Sequence, residues 1–150
     1  MRNTQRLLLA AGMVVLFAAP AAAADLIYQP NGVMAPATDG AANVALKGER
    51  FQGAILYRDK VAETELHLEG IDNVVVLDGD ATLVYGGDMK DSHMISEAEF
   101  RGTALTGDTK SIEIHKGDIL QIPAGMPQWI KPHAGGHIRY VAFRVPGRKD

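Results

Sequence analysis

Apolar and polar positions alternate over short runs from Phe51 onward, which predicts β-strands. The runs are rich in β-branched residues and end at glycine, proline or aspartate; they span 51–58, 61–69, 73–85, 111–115, 118–123 and 137–145. Short strands at this spacing favour an all-β sandwich or barrel over alternating α/β units. Asp78-Gly79 lies between two apolar runs and predicts a hairpin turn, and Lys116-Gly117-Asp118 predicts a second turn.

Two segments lack this alternation. Residues 25–50 carry little pattern, and within them Ala41 to Leu46 predicts one or two helical turns. Residues 86–109 are polar and mixed, and the segment is long for a loop. We interpret it either as a lid over a barrel mouth or as a loop that contains a short strand.

The N-terminus has the order of a secretory signal peptide. Arg2 and Arg6 precede an almost wholly apolar run, and Ala22-Ala23-Ala24 offers a small-residue cleavage site before Asp25. The apolar run is shorter than the ~20 residues that span a bilayer. We therefore predict a periplasmic or secreted protein cut near Ala24, with a signal peptide at 1–24, an N-terminal segment at 25–50 and a β-barrel domain at 51–150.

Charge and composition narrow the class of partner. The chain has 150 residues, no cysteine and a formal charge of −3, which becomes −5 when Arg2 and Arg6 leave with the signal peptide. The absence of cysteine excludes disulfides and thiolate chemistry. A mildly acidic exported protein is a poor candidate for binding nucleic acid or anionic membrane, so we expect a small-molecule ligand or substrate. The basic tail of Arg144, Arg148 and Lys149 is interpreted as a solvated end.

Three titratable residues are predicted to converge inside the barrel. Glu65 and His67 are two apart on a predicted strand and therefore share a face. Asp72 begins the next strand on the same face as Val74 and Val76. Burying two carboxylates costs several kcal/mol unless protons, hydrogen bonds or a cation compensate them, so this group is the strongest indication of a functional site.

A fourth residue is presented by a rigid turn. The stretch "PAGMPQW" at 123–129 places two prolines and a glycine immediately before Gln128. Such a turn fixes the direction of the side chain that follows it.

These residues resemble the two motifs of the cupin superfamily. Glu65-x-His67-x4-Asp72-x6-Gly79 is similar to the first motif, and Gly117-x5-Pro123-x-Gly125-x2-Gln128 is similar to the second, which usually ends in histidine. The likeness covers about residues 51–145 and extends to small exported bacterial single-domain cupins. It implies a small antiparallel jelly-roll β-barrel, often paired as a homodimer, with metal positions at Glu65, His67, Asp72 and Gln128.

The implied ligand set constrains the chemistry. One nitrogen among oxygen donors suits manganese or ferrous iron before zinc, and a single imidazole cannot form the two-histidine, one-carboxylate triad of non-haem iron oxygenases. The sequence thus predicts an exported metal-binding cupin acting on a small oxygenated molecule, by isomerase- or lyase-type chemistry rather than oxygenation. Glu65 and Asp72 are the candidate catalytic groups for proton transfer.

The same four residues admit a second interpretation. Without a metal they would form a hydrogen-bonded polar network, with His67 between the two carboxylates and Gln128 as donor and acceptor. That arrangement would suit a non-catalytic, small-ligand-binding cupin. A structural or partner-binding barrel with a vestigial site is a third possibility.

The other histidines are weaker candidates for the site. His115 is predicted to face solvent, and His133 and His137 flank a glycine-containing loop and are expected at the surface. His137 could replace the missing motif histidine only if its strand directs it inward. His93 lies in the 86–109 segment, where it could act as a lid residue.

Overall fold

The computed structural model describes residues 42–48 and 51–146 of the chain, and these residues form an antiparallel β-structure. The described part contains ten strands and no helix, so it also contains no helix long and apolar enough to cross a membrane. The strands are β1 (Ala42–Gly48), β2 (Phe51–Arg58), β3 (Thr64–His67), β4 (Gly70–Lys90), β5 (His93–Ser96), β6 (Glu99–Gly102), β7 (Ala104–His115), β8 (Ile119–Ile122), β9 (Gln128–Pro132) and β10 (Ile138–Pro146). The predicted all-β jelly-roll architecture is confirmed.

Strand β4 organises the sheet. Its first half pairs with β10 and β8, and its second half pairs with β7 and β9, always antiparallel. Beyond β10 lie β2 and then β1, and beyond β9 lie β3, β6 and β5. One continuous strand therefore joins the two halves of the curled sheet.

The predicted hairpin at Asp78-Gly79 is wrong, because both residues lie inside β4. Gly79 has φ +76°, and a Cβ placed on it would lie 1.9 Å from the carbonyl oxygen of His137. The pairing register between β10 and β4 also shifts here, between Arg139 and Tyr140. The glycine therefore marks a bulge and a close backbone approach rather than a chain reversal.

The apolar core lies between the two halves of the sheet. Along the first part of β4, buried and partly buried residues alternate, with Asp72, Val74 and Val76 on the buried face as predicted. The eight residues that form this buried cluster are Val74, Val76, Ala81, Leu83, Ile114, Ile122, Ile138 and Tyr140. Six of the eight are β-branched or aromatic, which fits the pleated interior of a sheet.

The described parts of the two segments without alternation contain strands. The helical turn expected from Ala41 to Leu46 is wrong for the described residues 42–46, which belong to β1, a strand that pairs with β2. The 86–109 segment is not a lid; it comprises the end of β4, then β5, β6 and the start of β7. The alternative with strand structure is confirmed there, as is the turn at Lys116-Gly117-Asp118, where Gly117 has φ +94°.

The predicted signal peptide at 1–24 lies outside the described residues. Most of the 25–50 segment does as well, apart from β1.

Candidate functional site

The four predicted site residues meet at one place in the structure. Glu65 and His67 lie on β3, Asp72 near the start of β4, and Gln128 at the start of β9. His67 Nε2 lies 3.4 Å from Glu65 Oε2 and 3.3 Å from Asp72 Oδ2. The Gln128 amide nitrogen donates to Asp72 Oδ2 at 2.7 Å. We call Glu65, His67, Asp72 and Gln128 the site cluster.

The "PAGMPQW" turn directs Gln128 into this cluster. The amide of Gly125, with φ +77°, donates to the His67 carbonyl at 2.8 Å, and Met126 N donates to the Pro123 carbonyl at 3.3 Å. The turn is thus tied to β3, and Gln128 lies opposite Glu65 in the β3–β9 pairing. Gln128 is 5% exposed, so the predicted inward direction is confirmed.

Two arginines bind Glu65 from different strands. Arg58, at the end of β2, donates from Nη2 to Glu65 Oε1 at 2.9 Å and from Nε to the Tyr140 hydroxyl at 2.7 Å. Arg101 on β6 places Nη1 3.2 Å from Glu65 Oε2, and its Nη2 contacts Glu99. Both oxygens of the Glu65 carboxylate therefore face a cation.

A third arginine binds Asp72. Arg144 on β10 donates from Nε to Asp72 Oδ1 at 2.8 Å, and its register on β4 places it directly opposite Asp72. The interpretation of Arg144 as part of a solvated tail is therefore wrong. Gly70 makes room for it, since a Cβ on Gly70 would lie 2.2 Å from Arg144 Cδ. We call Arg58, Arg101 and Arg144 the guanidinium group.

Sequence reasoning missed the guanidinium group entirely. Arg58 ends a predicted strand, and parity could have placed it on the same face as Leu56. Arg101 lies in the 86–109 segment, where apolar and polar positions do not alternate and therefore predicted no defined strands. Arg144 required the β10–β4 register, which no local pattern provides.

Burial and neighbouring charges around the cluster shift three pKa values. Burial would raise the pKa of Glu65, but the hydrogen bond from His67 and the charges of Arg101 and Arg58 outweigh burial and lower it to about 2. Burial raises the pKa of Tyr140 to about 12, so its phenol stays protonated. Burial would lower the pKa of Arg58, but Tyr140 and Glu65 more than offset this and raise it.

The site cluster opens onto a cavity of about 470 Å³, within the usual range for small-ligand pockets. Its polar lining includes the guanidinium group, Gln128 and the carboxylates of Glu63, Glu65, Asp72 and Glu99. The rest of the lining is largely apolar and comes from the same strands β2, β4, β9 and β10. Its side chains include Leu56, Val74, Ile130, Ala142 and Phe143.

The other histidines lie outside the cluster. His115 and His133 are exposed, as predicted. His137 is only partly buried; it stacks on Tyr57 with ring centroids 5.3 Å apart and pairs with Asp78, so it does not replace the motif histidine. His93 is exposed on β5 and lies 3.8 Å from Glu63, so it is a strand residue rather than part of a lid.

The fold is the double-stranded β-helix of the cupins. The chain is similar to an uncharacterised double-stranded β-helix protein of Klebsiella pneumoniae (TM-score 0.57, 15% identity, 83% of this chain and 87% of that one). It is also similar to a cupin protein of Bacteroides fragilis (TM-score 0.52, 15% identity, 77% and 85%) and to the cupin domain of Schizosaccharomyces pombe Cnp3 (TM-score 0.50, 13% identity, 69% and 63%). At these identities the likeness concerns the fold. Comparison with protein-family models and with curated protein sequences gave no match.

The cupin resemblance implies a divalent metal, and the donors of the site cluster can be tested against one. Both carboxylates already pair with guanidinium, and Gln128 turns its NH₂ rather than its oxygen toward Asp72. His67 Nδ1 is buried without a hydrogen-bond partner, whereas a metal-bound histidine usually donates its second N–H to an acceptor.

Within residues 42–48 and 51–146, no group of three or more histidine, aspartate or glutamate side chains is arranged to hold a metal ion. In this arrangement the cluster does not fit a divalent metal.

Proposed function

We propose that this chain is an exported cupin-domain protein that binds a small oxygenated molecule in its barrel without a resident metal. The observation that carries the proposal is the polar network beside the cavity. The guanidinium group neutralises the carboxylates of Glu65, Asp72 and Glu99. In a metal-binding cupin site, a bound cation would neutralise carboxylates instead. A network in which opposite charges are paired can remain buried without metal.

The pKa of Glu65 supports binding rather than proton transfer. A general base works best when its pKa lies near the working pH, and a carboxylate with a pKa of about 2 is a weak base at neutral pH. Asp72 is held by Arg144 and Gln128. Metal-assisted isomerase or lyase chemistry through these two carboxylates remains a prediction from the resemblance and is the alternative that the next experiment tests.

Metal content separates the two functions. Protein purified from its own export pathway is expected to contain less than about 0.1 equivalent of manganese, iron or zinc, before and after incubation with each ion and desalting. A stoichiometric, retained metal would contradict the proposal. Gln128→His is the matched variant, because it restores the usual motif histidine; a gain of metal in that variant alone would show that Gln128 limits metal binding.

Export is a proposal that rests on residues 1–24. Mass spectrometry of the secreted or periplasmic protein is expected to give Asp25 as the first residue. Full-length protein retained in the cytoplasm would contradict it. The homodimer implied by the resemblance is also a prediction, and light scattering of the mature protein tests it.

A further inference from the structure

Strand β5 forms a free edge of the sheet. It pairs with β6 on one side, and on its other side the strand order of the described residues ends. Residues 91–97 are all exposed, so nothing in the described part of the chain covers this edge. The backbone N–H and C=O groups that point away from β6 can therefore pair with another strand.

An apolar row crosses the outer face of the sheet and ends at this edge. Leu66 on β3 lies opposite Phe100 on β6, and Phe100 lies opposite Met94 on β5. The next residues along β3 and β6, Glu65 and Arg101, line the cavity, so the row lies on the opposite face. Met94 is 62% exposed at the end of the row, and its burial against a neighbour would remove apolar surface from water.

Opposite charges flank β5. Lys90 precedes the strand, Glu97 follows it, and both are exposed. Neither side chain takes part in an ion pair among the described residues. The other nearby acid, Asp91, accepts a hydrogen bond from Thr103 Oγ1 at 2.7 Å in the turn between β4 and β5.

This order of charges makes β5 complementary to a second copy of itself. Lys90 lies four residues before Met94, and Glu97 lies three residues after it. In antiparallel pairing about Met94, each lysine would lie within about one residue, or about 3.3 Å, of the level of the other copy's glutamate, a gap that its side chain spans. Parallel pairing would instead place lysine beside lysine and glutamate beside glutamate.

We propose that β5 is the interface between two copies of this chain. The two β5 strands pair antiparallel about a two-fold axis at Met94, which joins the two sheets edge to edge. The apolar row of one copy then continues into the same row of the other. The inference gives the predicted homodimer a specific surface, and it is independent of what the cavity binds.

The small size of the contact predicts a weak dimer. A four-residue strand and the end of one apolar row offer less than the roughly 800 Å² per partner of a standard interface. We expect sedimentation of the mature protein to give a dimer at about 100 μM that dissociates at about 1 μM. A monomer at every concentration would overturn both this surface and the predicted homodimer.

Met94→Glu and Ile119→Glu form a matched pair of variants. Met94→Glu places like charges together at the two-fold axis and is expected to raise the Kd of the dimer by at least about tenfold. Ile119 is also exposed but lies on β8, which pairs with the other half of the sheet, so Ile119→Glu is expected to leave the Kd unchanged. A dimer that persists in Met94→Glu, or that Ile119→Glu weakens as much, would overturn the β5 interface and leave the homodimer itself intact. Because both variants replace exposed side chains, circular dichroism should show the wild-type fold for each.

Charge reversal tests the antiparallel direction. Lys90→Glu and Glu97→Lys are each expected to raise the Kd by about fivefold at low salt, because each creates like-charge contacts across the axis. The double variant Lys90→Glu/Glu97→Lys presents opposite charges again and is expected to regain the wild-type Kd. A double variant no tighter than the single variants would overturn the antiparallel pairing.

Discussion

Two of the acid–imidazole pairs in the molecule lie in opposite settings. On the outer face of the sheet, His133 Nε2 lies 2.7 Å from Glu113 Oε2, and both side chains are about half exposed. In the barrel, His67 Nε2 lies at the longer distances of 3.4 and 3.3 Å from Glu65 and Asp72 and is 4% exposed. The pKa of Glu113 is lowered by Thr82 and His133, but that of Glu65 falls to about 2.

The comparison shows that burial and the number of partners decide how much such a pair contributes to stability. Solvent screens the short exposed contact, so it contributes little to stability. The buried carboxylate loses hydration and depends on its hydrogen bonds and on Arg58 and Arg101. Judged by contact distance alone, the exposed pair would be expected to contribute more to stability than the buried pair, which is the reverse of what burial and the number of partners indicate.

Removal of Arg58 should have the largest effect. Arg58→Met deletes the donor to Glu65 and to Tyr140 and leaves a buried carboxylate with less compensation. We expect the free energy of unfolding, measured by urea denaturation, to fall by about 3 kcal/mol. The double variant Arg58→Met/Glu65→Gln should recover part of this loss, and a single-variant loss below about 1 kcal/mol would contradict the assigned role.

Lowering the pH should have the second-largest effect on stability, because it protonates the buried Glu65. The pKa of Glu65 is depressed from its ordinary value of 4.5 to about 2 in the folded protein, so its contribution is present above pH 4.5 and is lost as the pH falls toward 2. This depression corresponds to at most about 3 kcal/mol. Thermal unfolding at a series of pH values should show a shallower acid decline for Glu65→Gln than for wild type; parallel curves would exclude Glu65 as a source of acid sensitivity.

Loss of Arg144 should have a smaller effect. Arg144 is partly exposed, and Asp72 keeps its hydrogen bond from Gln128 when the guanidinium is removed. Arg144→Met is expected to lower the free energy of unfolding by about 1 kcal/mol. Arg144→Lys serves as the control that keeps the charge. A loss as large as that of Arg58→Met would mean that Arg144 and Arg58 contribute equally to stability.

The exposed pair should give the smallest effect. Glu113→Gln is expected to leave the urea midpoint unchanged, because Glu113 and His133 are hydrated in both folded and unfolded states. The urea midpoints of Glu113→Gln and wild type should also agree with each other at both high and low salt. A clear destabilisation by Glu113→Gln would break the distinction drawn between the two pairs.

The sequence predicted the parts of the site that depend on local pattern. Strand parity placed Glu65 with His67 and Asp72 with Val74, and turn chemistry placed Gln128. The arginines depend on pairing between strands far apart in the chain, such as Arg144 opposite Asp72. Gly79 misled local reasoning in another way, because a positive φ is compatible with both a hairpin and a bulge, and only the approach of His137 distinguishes them.

The position of β10 at the end of the described chain has a consequence for the order in which the protein is made. A chain that has emerged only as far as β9 already carries Glu65, His67, Asp72 and Gln128. It still lacks Tyr140 and Arg144, which arrive with the last strand. Until β10 has joined β4, Asp72 therefore lacks the guanidinium that pairs with it in the folded protein.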